Sequence, residues 1–260
     1  QIKSDNSYTI YGANTHVNGW VYRYDSTHGA GEWEPGSYPS ADPDNGCLVV
    51  LNGTTLKIGE DGTTCKLSTA MVEAVTGGSW STEHRALNEV DLHGHIVIVD
   101  GEGLFSNMQS LTTMPYLPGQ SVTSSAKGVS YSKMFKDAWK LEQAESISHW
   151  DTRNVTNMYR MFMDAQAFNQ SVSNFDTSNV TNMSGMFASA YRFNQPVSNF
   201  KTSNVTDMSR MFNYASAFNQ PVSMFDTSNV TDMSRMFAAA YSFNQPVSNF
   251  NTSKVTDMRA

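Results

Sequence analysis

FDTSNVTNMSGMFASAYRFNQPVSN runs from Phe175 to Asn199, and FKTSNVTDMSRMFNYASAFNQPVSM follows it from Phe200. Another copy begins at Phe225, a partial one at Phe250 and an earlier one at Trp150. Val155, Val180, Val205, Val230 and Val255 mark the period of 25 residues. A unit this short cannot bury an apolar stripe alone, whereas stacked neighbours bury it together. Self-similarity therefore decides the architecture before any single residue does.

Inside a unit, Met183, Met186, Phe187, Ala190 and Phe193 are spaced as one stripe of an α-helix. Thr181 or Asn182, and Asp207 or Asp232 in later units, stand where a helix N-cap belongs. Pro196 ends the helix near Asn194, and Val197 and Phe200 read as a short extended segment. The expectation is one helix and one short strand per unit, stacked as an α/β solenoid. A decayed version continues upstream. Met134, Phe135, Ala138 and Leu141 keep the spacing of Met186, Phe187, Ala190 and Phe193, and Leu104, Phe105, Met108 and Leu111 repeat it again. The reading divides the chain into a β-rich domain or cap over 1–90, degenerate repeats over 91–149 and regular repeats over 150–260. The last unit breaks off at Arg259-Ala260, so an apolar end is expected there, covered by further chain or by a partner.

The units TSNVTDMSRMF…FNQPVSNF resemble the 25-residue repeats of BspA-like leucine-rich repeat surface proteins of bacteria, closely over 150–260 and weakly over about 90–149. The resemblance implies a right-handed, leucine-rich-repeat-like solenoid, export to the cell surface, and a role in adhesion. The expected partner is a protein or glycan of a host, prey or neighbouring cell, met by a secreted or surface-anchored chain or by part of a larger appendage. No cofactor is implied. A water- or ice-organising solenoid and a structural spacer are the alternatives.

Residues 1–90 contain no repeat unit. Apolar runs such as Trp20–Tyr24 and Leu48–Leu51 lie between turn-rich segments, Asn52-Gly53 signals a hairpin, and a short helix is expected around Ser68–Val75. Cys47 and Cys65 bracket that hairpin and would form a disulfide in an exported protein. Charge is uneven: 14 Asp/Glu against 5 Lys/Arg precede Lys127, and 10 against 12 follow from there on. With a formal net charge of −7, nucleic acid is a poor partner. No apolar run is long enough to span a bilayer, and no signal peptide is evident, so any export element would lie outside this sequence or have been removed.

No catalytic fingerprint appears, and near-identical units cannot supply one asymmetric constellation, so the chain is not read as an enzyme. His93 and His95 would share a strand face at metal-chelating spacing, but no third ligand is evident. Asp42 and Asp44 open like a calcium loop, yet Gly46 and Cys47 stand where further oxygens belong. Polar files recur instead: Thr152, Thr177, Thr202, Thr227 and Thr252; Asn154, Asn179, Asn204 and Asn229; Asn169, Asn194, Asn219 and Asn244. They are expected to satisfy backbone groups at each turn of the stack. Eight Asn-X-Ser/Thr sequons fit a bacterial source better than a glycan on every unit.

Two candidate surfaces remain. The acidic N-terminal part carries Trp20, Tyr22, Tyr24, Trp33 and Tyr38, whose rings suit sugar or peptide binding. The positions that vary between units carry Tyr191, Arg192, Tyr214 and Tyr241, a secondary strip placed on the outward helix face.

Overall fold

The computed structural model describes residues 49–59, 64–78, 80–125 and 128–259, with the backbone alone of four strands nearer the N-terminus. Those strands are β1 (Tyr8–Tyr11), β2 (Thr15–Val17), β3 (Trp20–Asp25) and β4 (Ala30–Pro35). β2, β3 and β4 form an antiparallel sheet whose register sets Tyr22 opposite Trp33. β5 (Val49–Asn52) and β6 (Thr55–Ile58) make the expected hairpin. Its two-residue loop opens on Gly53 at φ +58°, a conformation glycine adopts without steric cost. β1 pairs antiparallel with β5.

Pairing then turns parallel. β6 pairs with β8 (Glu89–Leu92), while β7 (Thr64–Leu67) and β10 (Ser121–Ser124) flank β9 (His95–Ile98). These ladders cross residue 90, tying 55–67 to 89–98. Between them lie α1 (Thr69–Thr76) and the short α2 (Thr82–Ala86). Ser68 takes the N-cap conformation of α1 without a side-chain hydrogen bond, and Gly77, at φ +78°, closes the helix. α1 packs on β1 and β5, so antiparallel strands and a helix cover this end of the stack. Cys65 is buried and disulfide-bonded; Cys47 lies outside the described residues.

From Val129 onward the chain repeats without α-helices. β11 (Val129–Ser130) and β12 (Val155–Asn157) are paired in parallel, and single parallel bridges continue the line through Asn182, Asp207, Asp232 and Asp257. The expected α/β, leucine-rich-repeat-like right-handed solenoid is therefore overturned. Small parallel sheets and bridged turns build the repeated part, and among the described residues no unit contains an α-helix or a strand at Val197–Phe200. Glu145–His149 forms one 3-10 helix.

The reason lies in the backbone. Met186, Ala188 and Ala190 donate three residues back, to Met183, Gly185 and Phe187. The alternate amides of Met183, Gly185, Phe187 and Ser189 leave the unit and donate to Asp207, Ser209, Met211 and Asn213 of the next. Gly185 and Ser189 have positive φ, as do Arg160 and Asp164, Arg210 and Tyr214, and Arg235 and Ala239. A left-handed residue at every fourth position breaks the helical ladder and turns its own amide toward the neighbour. The same spacing still puts Met183, Met186, Phe187, Ala190 and Phe193 in the core. A short helix is marginal on its own, so bonds between units prevail over bonds within one. The expected N-caps are Asx turns instead: Asn182, Asp207 and Asp232 accept from the amides of Ser184, Ser209 and Ser234.

Two phenylalanine columns run through the core. Phe162, Phe187, Phe212 and Phe237 stack at 5.6–5.8 Å, and Phe168, Phe193, Phe218 and Phe243 at 5.9–6.0 Å. Within units the columns meet at 3.9–4.2 Å. Buried Thr152, Thr177, Thr202 and Thr227 each donate a hydroxyl proton to a carbonyl of the next unit. The side-chain amides of Asn179, Asn204 and Asn229 donate to carbonyls of the preceding unit. The Asn169 side chain accepts from the amide of Asn194 at 2.9 Å, and Asn194 does the same for Asn219. Near Arg259 the final unit leaves an open apolar hollow of about 320 Å³ beside Met236, Phe237, Val247, Phe250 and Met258.

Candidate functional site

Each unit makes a second turn just after its buried alanine. Ala138-Trp139, Ala165-Gln166, Ala190-Tyr191, Ala215-Ser216 and Ala240-Tyr241 occupy equivalent places. The amides of Ala167, Arg192, Ala217 and Ser242 donate to the carbonyls of Trp139, Gln166, Tyr191 and Ser216 at 3.1–3.2 Å. These bonds fix Trp139, Gln166, Tyr191, Ser216 and Tyr241 as one file, one residue per unit, along the stack. The alanines belong to the core; of the residues that follow them, Gln166 and Ser216 are half-buried and the three rings are exposed. Trp139 and Tyr191 are each 42% exposed and Tyr241 is 81% exposed.

An amphipathic groove of about 410 Å³ lies between the first two rings, with Lys140, Glu142, Gln166 and Arg192 along it. Arg192 Nη1 donates to Glu142 Oε1 at 3.0 Å, and both side chains are largely exposed. Such a pair orients polar groups beside the rings more than it stabilises the fold. Beside this file runs the left-handed column of Asp137, Asp164, Ser189, Tyr214 and Ala239. Burial, and then the Asp137 carboxylate, push the Asp164 carboxyl above its usual range. Tyr214 is 50% exposed on that column. The strip of Tyr191, Arg192, Tyr214 and Tyr241 is thus carried on turns and not on an outward helix face. Trp139 was missed, although it follows Ala138 as Tyr191 follows Ala190.

The other expected sites fare differently. The side chains of Trp20, Tyr22, Tyr24 and Trp33, and all of Tyr38, Asp42 and Asp44, lie outside the described residues. His93 and His95 do not share a strand face. Gly94, at φ +67°, turns the chain between β8 and β9. His93 Nε2 meets Asp91 Oδ2 at 3.1 Å, and His95 Nδ1 meets Ser121 Oγ at 2.5 Å. Among the described residues, no group of three or more His, Cys, Asp or Glu is arranged to hold a metal. No helix among them is long and apolar enough to cross a membrane.

The repeated part matches the family described as "Mycoplasma protein of unknown function, DUF285", over residues 127–226 and 197–260. The match covers more than half of the chain, and the chain belongs to that family. No curated protein and no solved structure matches it.

Proposed function

We propose that this member of the DUF285 family is a bacterial cell-surface or secreted recognition module, which attaches to cells through glycans or proteins. One observation carries the reading. The file Gln166, Tyr191, Ser216 and Tyr241 changes from unit to unit on a frame whose core, Asx turns and Thr bonds stay the same, and Trp139 continues it on the same backbone in the decayed unit before. Large rings at exposed, backbone-pinned positions supply contact area at low entropic cost. The resemblance of the repeats to BspA-like surface proteins supports the same reading, and a disulfide at Cys65 suits an oxidising compartment.

The test is capture of intact bacterial and animal cells by the full chain immobilised on beads. A Trp139→Ala/Tyr191→Ala/Tyr241→Ala variant should lose most capture with its circular dichroism unchanged. Trp20→Ala/Trp33→Ala forms the comparison arm; loss confined to that arm moves the site to the N-terminal strands.

A second reading rests on exposed Thr181, Thr206, Thr231 and Thr256. Their amides and hydroxyls both donate to the threonine carbonyl of the preceding unit, which leaves a regular row of hydroxyls at the surface. A water-organising role for this row predicts thermal hysteresis that Thr206→Val/Thr231→Val removes. Freezing at the ordinary point discards it.

A further inference from the structure

Resting on the recognition reading, we infer that the exposed file binds an extended, β-linked polysaccharide lying along the stack axis. The observation is the alternation. Aromatic residues stand at Trp139, Tyr191 and Tyr241, and short polar ones at Gln166 and Ser216 between them. Each step along the file is one unit, pinned by the backbone bonds from Ala167, Arg192, Ala217 and Ser242. Parallel pairing sets the backbone step at about 4.8 Å. The phenylalanine rings beneath step by 5.6–6.0 Å. An aromatic platform therefore recurs roughly every 10–12 Å.

In an extended chain of pyranose rings joined through equatorial (1→4) bonds, successive rings are flipped, and each advances by close to one strand spacing. The same ring face returns at every second sugar. Apolar C–H faces would then rest on Trp139, Tyr191 and Tyr241 in turn. The intervening sugars present hydroxyl edges to Gln166 and Ser216. Beside the first two platforms, the Arg192–Glu142 pair and Lys140 offer donors and acceptors to the same hydroxyls. The groove there has the volume of a small-ligand site. An α-linked chain curls away from a straight file. A proline-rich peptide has a matching repeat of about 9 Å per turn, but it carries no hydroxyl at each polar interval.

The experiment is calorimetric titration of the full chain with β-(1→4)-linked oligomers of glucose, N-acetylglucosamine and mannose, from two to six rings. Maltohexaose and a proline-rich decapeptide serve as controls. One β-linked series should bind with affinity rising in steps at three rings, which reach two platforms, and at five, which reach all three. Tyr191→Ala should weaken the five-ring ligand by about ten-fold or more and abolish the step at three rings. Maltohexaose should not bind. A smooth rise with length, equal binding of the α-linked hexamer, binding of the peptide alone, or no effect of Tyr191→Ala in a folded chain would each overturn the inference. Cell capture that needs the ridge while no β-linked oligomer binds removes the polysaccharide and leaves the recognition reading. Capture indifferent to Trp139, Tyr191 and Tyr241 removes the ridge itself.

Discussion

The units between Gly101 and Trp150 and those between Trp150 and Phe250 have little sequence in common, yet they share one backbone. In the first region the amides of Gly103, Phe105 and Asn107 donate to Ser132, Met134 and Lys136, 29 residues on. Those of Lys133, Phe135 and Asp137 reach 26 residues on, and from Met158 the offset settles at 24. Gly103 and Asn107, and Lys133 and Asp137, are left-handed just as Gly185 and Ser189 are. Phe105 and Phe135 extend the ring column at 5.3–5.4 Å. The unit is therefore specified by a few buried positions and two left-handed ones. Additional residues are taken up elsewhere, partly in the 3-10 helix at Glu145–His149.

The most damaging way to break this frame is to empty the ring column. Phe187 is fully buried and stacks on Phe162, Phe193 and Phe212, so Phe187→Ala should cost about 3–5 kcal/mol by urea unfolding. Phe237 is only partly buried against the core, and Phe237→Ala should cost clearly less. Equal losses would mean that burial in the column does not set the cost.

Thr202→Val comes next. It leaves the Asp226 carbonyl without its 2.9 Å bond inside a buried file, at about 1–3 kcal/mol. Thr206→Val, on the exposed row, should stay below about 0.5 kcal/mol in the same assay.

A third effect sharpens the comparison through a group the regular units lack. Buried His84 lies 2.7 Å from both Thr76 Oγ1 and the Ser106 carbonyl, joining the helical segment to the first turn-built unit. Burial, opposed by the Ser106 bond and Glu73, holds its pKa below 6.5. The unfolded chain then binds the proton more readily. Stability is fully present above about pH 6.5 and falls as pH drops through the window down to the folded pKa. The urea midpoint should decline as pH falls below about 6.5, and His84→Asn should flatten the part due to this group. An unchanged slope would remove His84 from the account.

The last change tests the left-handed positions. Arg210→Gly should gain about 0.5 kcal/mol, because a side chain at φ +57° is strained while glycine pays entropy in return. Gly185→Val should lose about 1–2 kcal/mol, since a β-branched residue fits that conformation worst. Thermal melts of the two variants shifting in the same direction would contradict the role assigned to these residues.

Much of this was legible in the sequence. The period, the buried stripe and the Thr and Asn files follow from counting, and the Asn52-Gly53 hairpin and the helix after Ser68 follow from local chemistry. The helices in the repeats did not, because Met183, Met186, Phe187 and Ala190 have a spacing that a helix and a run of linked turns both satisfy. Only the sign of φ separates the two, and Arg160, Arg210 and Tyr214 do not announce a left-handed backbone. Tyr191 and Tyr241 could be found by their variation, whereas Trp139 sits in a unit too decayed for variation to be seen.

The interchangeable bonds of the regular units also bear on how the chain finds its register. The carbonyls of Asp207–Asn213 and those of Asp232–Ala238 offer the same pattern to an arriving segment, so a slip by one whole unit would cost little locally. The earlier units are not interchangeable. Trp150 donates to Ser146, which also receives Gln120, and Trp150 meets Tyr131 edge-on, a set that occurs once among the described residues. Contacts of that kind distinguish one frame from the next, which the repeated bonds of the regular units do not.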